Sequence, residues 1–375
     1  MPITIIDAQF STILLIIVIL ILLIISTHTV KNKESEILSH SKTWELKWVS
    51  ILAIIFAHIG YVLVSDSHFL YPLTTFAGVG VDIFLFLSGY GLTLSMMRSP
   101  LSIRAFYQKR LIKICIPFWL VLCSIIIADI VFLGKHYETW YLIRSFFGWF
   151  PSADVWRDIN SPFWYMTWIL GLYLLFPIFF YAKKVWVTAL ILAIIANLIT
   201  WINPLDIQAI WLHELHTNSF SLGIFFAWFL SKKSLSIETT LKHIRTWNIW
   251  WKFFIFSIFF ISIFWIATHG DVLNGSLLDN IIWEIWWSSK IIFQQILSFL
   301  MLSILLCIFI FKTTQNRFLA LFGTYSYELY LIHWPLLSRY DIFFHSLPAW
   351  IATIIWLIVL VGFSYILQNI SKKIG

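Results

Sequence analysis

Charge is scarce in this chain. Only 11% of its 375 residues are Asp, Glu, Lys or Arg, while 60% are hydrophobic. A soluble domain carries about 25% charged residues, so a fold wetted on every side is excluded. Cysteine is sparse as well. Cys115, Cys123 and Cys307 each lie in an apolar run, and no Cys-x-x-Cys pair exists. They read as small hydrophobes, not as a disulfide frame or a zinc site. There is no Walker motif, no dinucleotide fingerprint and no HExxH, which removes the common signatures of nucleotide and zinc-protease chemistry. No internal repeat or low-complexity segment stands out, so the inverted-repeat signature of many transporters is missing.

Long apolar runs fill the chain instead. They fall near 10–27, 47–64, 71–97, 115–133, 163–181, 185–203, 211–230, 250–268, 287–311, 318–338 and 348–368. Each is close to the roughly 20 residues that cross a bilayer as a helix. The expected fold class is therefore all-α: a polytopic transmembrane helical bundle of about 10–11 helices. The first run is not read as a signal peptide, because it has no basic n-region and its apolar stretch is too long. The 22 Trp and 35 Phe suit interfacial belts and tight helix packing.

The net charge of +7 is a topology signal first. With the N-terminus outside, 20 of the 25 Lys and Arg residues fall on the inner side. Only Lys135, Arg144, Arg157, Lys290 and Arg339 fall on the outer side. The positive-inside rule thus predicts N-out, C-in, with cytoplasmic loops near 98–113 and 231–249. The expected location is the cell (inner, cytoplasmic) membrane, and no nucleic-acid partner is implied.

Ionisable groups at membrane depth are costly and mark candidate sites. His58 sits in AIIFAHIGYVLV and Asp82 and Ser88 in GVGVDIFLFLSGYGL. Acyl transfer to an alcohol needs a base, donors for the developing oxyanion and a holder for the acyl carrier. His58 is the candidate base, set against a plain packed histidine. Asp82, on the next helix, either orients His58 or pairs with a basic residue to hold two helices together. Ser88, Gly89 and Tyr90 break an apolar run with small and polar groups that let helices approach closely. Arg98, Arg104, Lys109, Arg110 and Lys113 form the densest basic run, with Arg110 and Lys113 one helical turn apart. It reads as a phosphate contact or as a topology signal with anionic-lipid contact. His333 follows Tyr325, Ser326, Tyr327, Glu328 and Tyr330; it either meets the acceptor or is an interfacial histidine among aromatics. His213, Glu214 and His216 have metal-ligand spacing, but they fall at an expected outer interface and read as solvated polar residues.

These pieces, in this order, resemble the acyltransferase 3 family of multispanning membrane acyltransferases. The resemblance rests on His58, on Gly80 to Tyr90, and on Phe106-Tyr107-x-x-Arg110-Leu111-x-Lys113-x-x-x-Pro117. It also rests on GTYSYELYLIHWPL (Gly323 to Leu336) and, more weakly, on SPFWYMTWILGLYLLFP (Ser161 to Pro177). It covers residues 45–368. The segment 1–44 is then an added N-terminal transmembrane helix with a cytoplasmic loop, and 369–375 a cytoplasmic tail. Lys113 stands where the family has a second arginine, keeping the charge but losing the forked donor. The resemblance implies an O-acyltransferase that moves an acyl group, acetyl foremost, from cytoplasmic acyl-CoA to a hydroxyl of a surface or lipid-linked glycan. His58, Asp82 and His333 would be catalytic. Arg110, Lys113 and Lys109 would hold the CoA, and Ser88, Tyr90, Trp164 and Tyr330 would contact substrate. No metal and no permanently bound cofactor is implied; acyl-CoA (acetyl-CoA) is a co-substrate. A transporter or flippase for a lipid-linked sugar, and a non-catalytic subunit of a polysaccharide assembly machine, are the alternatives. The first predicts paired interrupted helices, and the second the loss of His58, Arg110 or His333.

Overall fold

The computed structural model describes residues 7–29, 37–64, 68–71, 73–245, 286–311 and 314–374, with isolated residues elsewhere. The architecture is an all-α polytopic bundle. Seven described helices are long and apolar enough to cross a membrane. They include α1 (Ala8–Ser26), α3 (Ala77–Arg98), α5 (Ile112–Leu133), α7 (Trp164–Phe179) and α8 (Val185–Ile202). The expected run at 250–268 lies largely outside the described residues.

Several expected spans take a different form. The run at 47–64 is α2 (His40–His58), which passes into a π turn over Ile59–Leu63. This helix is buried along most of its length, so protein rather than lipid surrounds its polar residues, and it needs no continuous apolar surface. The basic run after α3 starts with α4 (Ile103–Phe106), and a second π turn, Tyr107–Leu111, leads into α5. The expected span at 211–230 is two helices, α9 (Ile210–His216) and α10 (Ser219–Arg245). Three short or late elements complete the inventory before the last helices: α6 (Thr139–Phe146), which the apolar runs do not announce, β1 (Thr27–Thr29) and α11 (Trp286–Phe311). The run at 318–338 also divides, into α12 (Arg317–Thr324) and α13 (Ser326–Arg339), with Tyr325 as the joint. The last helix is α14 (Ala349–Ile374).

Glycine sets the closest helix contacts. A Cβ on Gly89 would strike the Phe220 carbonyl, and one on Gly223 would strike the Phe86 carbonyl. The two glycines thus let α3 and α10 touch backbone to backbone, as small residues do where no water drives helices together. Gly323 brings α12 against the Trp44 backbone of α2 in the same way.

The added helix α1 is clipped at both ends. At one end the Leu70 N–H donates to Thr12 Oγ1 (2.8 Å). At the other, β1 pairs antiparallel with β2 (Thr314–Asn316). There Asn316 donates to the Leu23 carbonyl and Thr27 Oγ1 (2.8 Å each), and its own N–H reaches Glu45 Oε1 (3.1 Å).

Candidate active site

The site starts at the point where α2 changes its winding. His58 closes α2, and the π turn follows at once; such turns concentrate at functional positions. His58 faces α13, where His333 is fully buried. The two ring centres lie 5.0 Å apart with their planes inclined at 29°, and His58 Nδ1 is 2.9 Å from His333 Nε2. His333 Nδ1 lies 2.8 Å from the Tyr330 carbonyl and 3.2 Å from that of Leu329. A carbonyl only accepts, so His333 Nδ1 carries the proton. In the neutral pair, His333 Nε2 is then a bare acceptor and His58 Nδ1 must donate to it. His58 Nε2 is left unprotonated, the form a general base needs.

The helix that carries His333 is broken into its register by Pro335, which has no N–H for the Leu331 carbonyl. Asn160 donates to that carbonyl instead, at 2.9 Å. Two residues on, the Pro162 carbonyl accepts from the Tyr330 hydroxyl. The segment before α7 therefore pins the turn of α13 that leads into the histidine.

Below the pair lies a cavity of about 320 Å³. Tyr330, whose ring centre is 5.8 Å from that of His333, forms part of its wall. Ser88 lines it and hydrogen-bonds with Tyr165 and Tyr173. Arg110, Lys113 and Lys47 line the same cavity. Arg110 Nη2 is held by Ser95 Oγ at 2.6 Å, which fixes the guanidinium on α3. Lys47, Lys113, Ser326 and Tyr327 also line a second cavity of about 700 Å³, which adds Lys109, Lys372 and Glu328. The two volumes share walls. They adjoin, the larger at a basic mouth and the smaller under the tyrosines next to the histidine pair. Lys47, Lys372 and the pair Lys109 and Lys113 come from three separate segments, yet all stand at this one mouth.

Other expected residues lie elsewhere. Asp82 is fully buried, but its partner is His216, not His58: His216 Nδ1 donates to Asp82 Oδ1 at 2.8 Å, and Ser219 Oγ donates to the same oxygen. His333 takes the orienting place beside His58 that Asp82 was expected to fill. The order serine–carboxylate–histidine gives no activated nucleophile, since the histidine does not face the hydroxyl. His213 and His216 are 0% and 4% exposed, so they are buried residues and not solvated ones. The sequence hides this because α9 is a short helix turned into the bundle. Trp164 belongs with them: it stacks on His216 (5.9 Å, 19°) and meets His213 edge-on (5.3 Å). Tyr90 packs between Phe86 and Phe226 on the far side of α3 from Ser88. Lys47 is the residue that sequence reading counted only as a topology charge; its place one face along α2 from His58 was the available signal.

At the opposite end of the bundle from the basic mouth, Arg339 pairs with Asp129 and donates to the Asp158 carbonyl. Tyr137 and Tyr340 (2.8 Å) both donate to Asp129. Burial, reinforced by the Asp129 bond, raises both tyrosine hydroxyls and keeps them donors.

The fold and site define a class: a multi-pass helical membrane protein in which adjoining cavities with a basic mouth lie next to an oriented histidine pair. The sequence profile of the acyltransferase 3 family, an acyltransferase domain, matches residues 46–368. The chain belongs to that family and is a membrane acyltransferase. No curated protein and no solved structure matches it significantly.

Proposed function

We propose that this protein is an integral membrane O-acyltransferase that takes an acyl group, acetyl foremost, from cytoplasmic acyl-CoA and places it on a hydroxyl of a lipid-linked or cell-surface glycan. The observation that carries the reading is the pair of adjoining cavities: Lys47, Lys109, Lys113 and Lys372 line the mouth, Arg110 with Lys47 and Lys113 the inner cavity, and the histidine pair lies beyond Tyr330. Coenzyme A carries phosphates that Arg and Lys recognise. Its pantetheine arm is narrow enough for the inner cavity, which brings the thioester toward His58. His58 Nε2 takes the proton of the acceptor hydroxyl as its oxygen attacks the thioester carbonyl. The carbon–sulfur bond breaks, and the proton leaves with the CoA thiolate. His333 acts through His58, holding its tautomer and ring.

The test is transfer from radiolabelled acetyl-CoA to candidate glycans by the purified protein. Label on the glycan with wild type, and its loss in His58→Ala, is the expected result. Equal transfer by the two proteins would remove His58 from the chemistry. CoA binding by calorimetry tests the donor side: Arg110→Ala is expected to weaken it by about 1.5–3 kcal/mol, the range for a hydrogen bond to a charged group. Lys113→Arg is expected to bind at least as well as wild type, because the fork suits phosphate. Lys232→Ala lies in the later part of α10, away from the motif; if it weakens CoA binding while Arg110→Ala does not, the donor site is there instead.

A further inference from the structure

The larger cavity, of about 700 Å³, holds a residue that the proposed chemistry leaves unused. Glu328, in the first turn of α13, is only 7% exposed. It stands in the cavity wall with Lys47, Lys109, Lys113 and Lys372. Its carboxylate accepts from its own backbone N–H and from the Gln368 side chain. The Gln368 amide also donates to the Thr324 carbonyl (3.2 Å) and accepts from Lys372 Nζ (2.7 Å). Lysine and acid are thus joined through an amide. Among the described residues, none of the lysines forms an ion pair with Glu328.

The helix dipole favours an acid in a first turn. It does not explain an acid in the wall of a cationic mouth. A mouth built only to gather phosphates or anionic lipid is weakened there by a carboxylate, since like charges repel. An ionised carboxylate only accepts, and it has room for about four hydrogen bonds. What suits the remaining places is a ligand group that donates and carries no negative charge. Trp44 and Tyr327 line the same cavity, and an aromatic face stacks on a nucleobase. Cations, an acceptor and an aromatic face together match a nucleotide: phosphate, hydroxyl or amino donors, and base.

The placing of the cations agrees. Arg110 lines the smaller cavity alone, Lys47 and Lys113 line both, and Lys109 and Lys372 line the larger alone. A donor whose thioester lies toward the tyrosines has its pyrophosphate beside the shared lysines and its nucleoside in the larger cavity.

Resting on the acyl-CoA reading above, we infer that the larger cavity is a subsite for the adenosine 3′-phosphate end of the donor, in which Glu328 accepts from a ribose hydroxyl or the adenine amino group and Lys109 and Lys372 meet the 3′-phosphate. Glu328 is then a specificity residue. It gives up some affinity for anions and selects a nucleotide-bearing thioester over a bare phosphopantetheine.

The experiment is calorimetry on the full-length protein in detergent. The probes are adenosine 3′,5′-bisphosphate, its 2′-deoxy and inosine counterparts, CoA and 4′-phosphopantetheine. Wild type is expected to bind the adenosine bisphosphate, and to bind the 2′-deoxy or the inosine probe roughly ten- to a hundredfold less tightly, the loss for a hydrogen bond to a charged group. Glu328→Gln removes the charge and keeps the shape; monodisperse elution with unchanged helical circular dichroism qualifies it as folded. It is expected to weaken the adenosine bisphosphate and CoA by a similar factor and to bring the three bisphosphates to one affinity. Binding of 4′-phosphopantetheine is expected to hold or tighten, because a repulsion of its phosphate is gone. The sign decides. A Glu328 that only balances the lysines predicts tighter binding of every phosphate ligand in Glu328→Gln, and that result overturns the inference. Unchanged affinities with a lowered Tm would make Glu328 a helix cap and overturn it as well. Equal binding of the three bisphosphates by wild type does the same and needs no variant. A protein that transfers acetyl but does not bind the adenosine bisphosphate would keep the acyltransferase reading and sink the subsite. Glu328-dependent binding in a protein that never transfers acetyl would do the reverse.

Discussion

At the scale of single residues, the chemistry turns on which nitrogen carries a proton. The Tyr330 and Leu329 carbonyls decide this for His333, and His333 decides it for His58. His58→Ala is expected to lower kcat by about 10²–10⁴-fold, the usual loss for a general base. His333→Gln keeps an amide oxygen that can accept from His58 Nδ1, whereas His333→Ala keeps nothing. The glutamine variant is therefore expected to retain clearly more kcat than the alanine one, with KM for acyl-CoA alike in both. Equal kcat in the two would mean that His333 matters only for packing. Asp82 has a different expectation. Its replacement by Ala strands the His216 and Ser219 donors in the interior, at about 1–3 kcal/mol each. Thermal unfolding in detergent is expected to show a lowered Tm. A wild-type Tm together with lost turnover would return Asp82 to the chemistry.

Elements divide into those that hydropathy announces and those that burial hides. The apolar helices α1, α5, α8 and α14 were legible because most of their surface is left unburied for lipid, which demands an unbroken apolar side, while α3 and α7 are mostly buried and were legible because they are apolar nearly all round. The ends of α2 and the break at Tyr325 were not, because these segments are wrapped by protein and their polarity answers to neighbours far away in sequence. The same reason hid Asp82: its composition announced a buried carboxylate, but only the turn of α9 into the bundle supplies His216. The basic mouth was legible in part. Lys109 and Lys113 share one motif, whereas Lys47 and Lys372 join them only through packing. The α3–α10 contact gives a sharp expectation. Gly89→Ala and Gly223→Ala each drive a methyl into a backbone carbonyl and are expected to lower Tm and yield. Gly91→Ala has open space around its Cβ and replaces a helical glycine, gaining up to about 1 kcal/mol. Equal effects at Gly89 and Gly91 would show that α3 does not meet α10 through its backbone.

For the molecule as a whole, two ends of opposite character follow from the helix directions. Lysines gather at one end, and the Asp129–Arg339–Tyr340 network closes the other. With Cys115, Cys123 and Cys307 replaced by serine, Arg157→Cys in intact cells is expected to react with an impermeant maleimide, since that side chain is 89% exposed. Lys373→Cys is expected to react only after permeabilisation. The inverted pattern would place the donor mouth outside and end the CoA assignment. The clasp between Thr27–Thr29 and Thr314–Asn316 also has a consequence in time. The serine at 26 meets Asn316 across 290 residues of chain. At ordinary rates of synthesis, about 5–20 residues per second, ribosomes need roughly 15–60 s to cover that stretch. Through this interval the bilayer and the Thr12–Leu70 clip hold α1, and the latch at its other end shuts last. Cysteines placed at the facing pair His28 and Gln315 should cross-link only once the nascent chain carries its second strand clear of the ribosome.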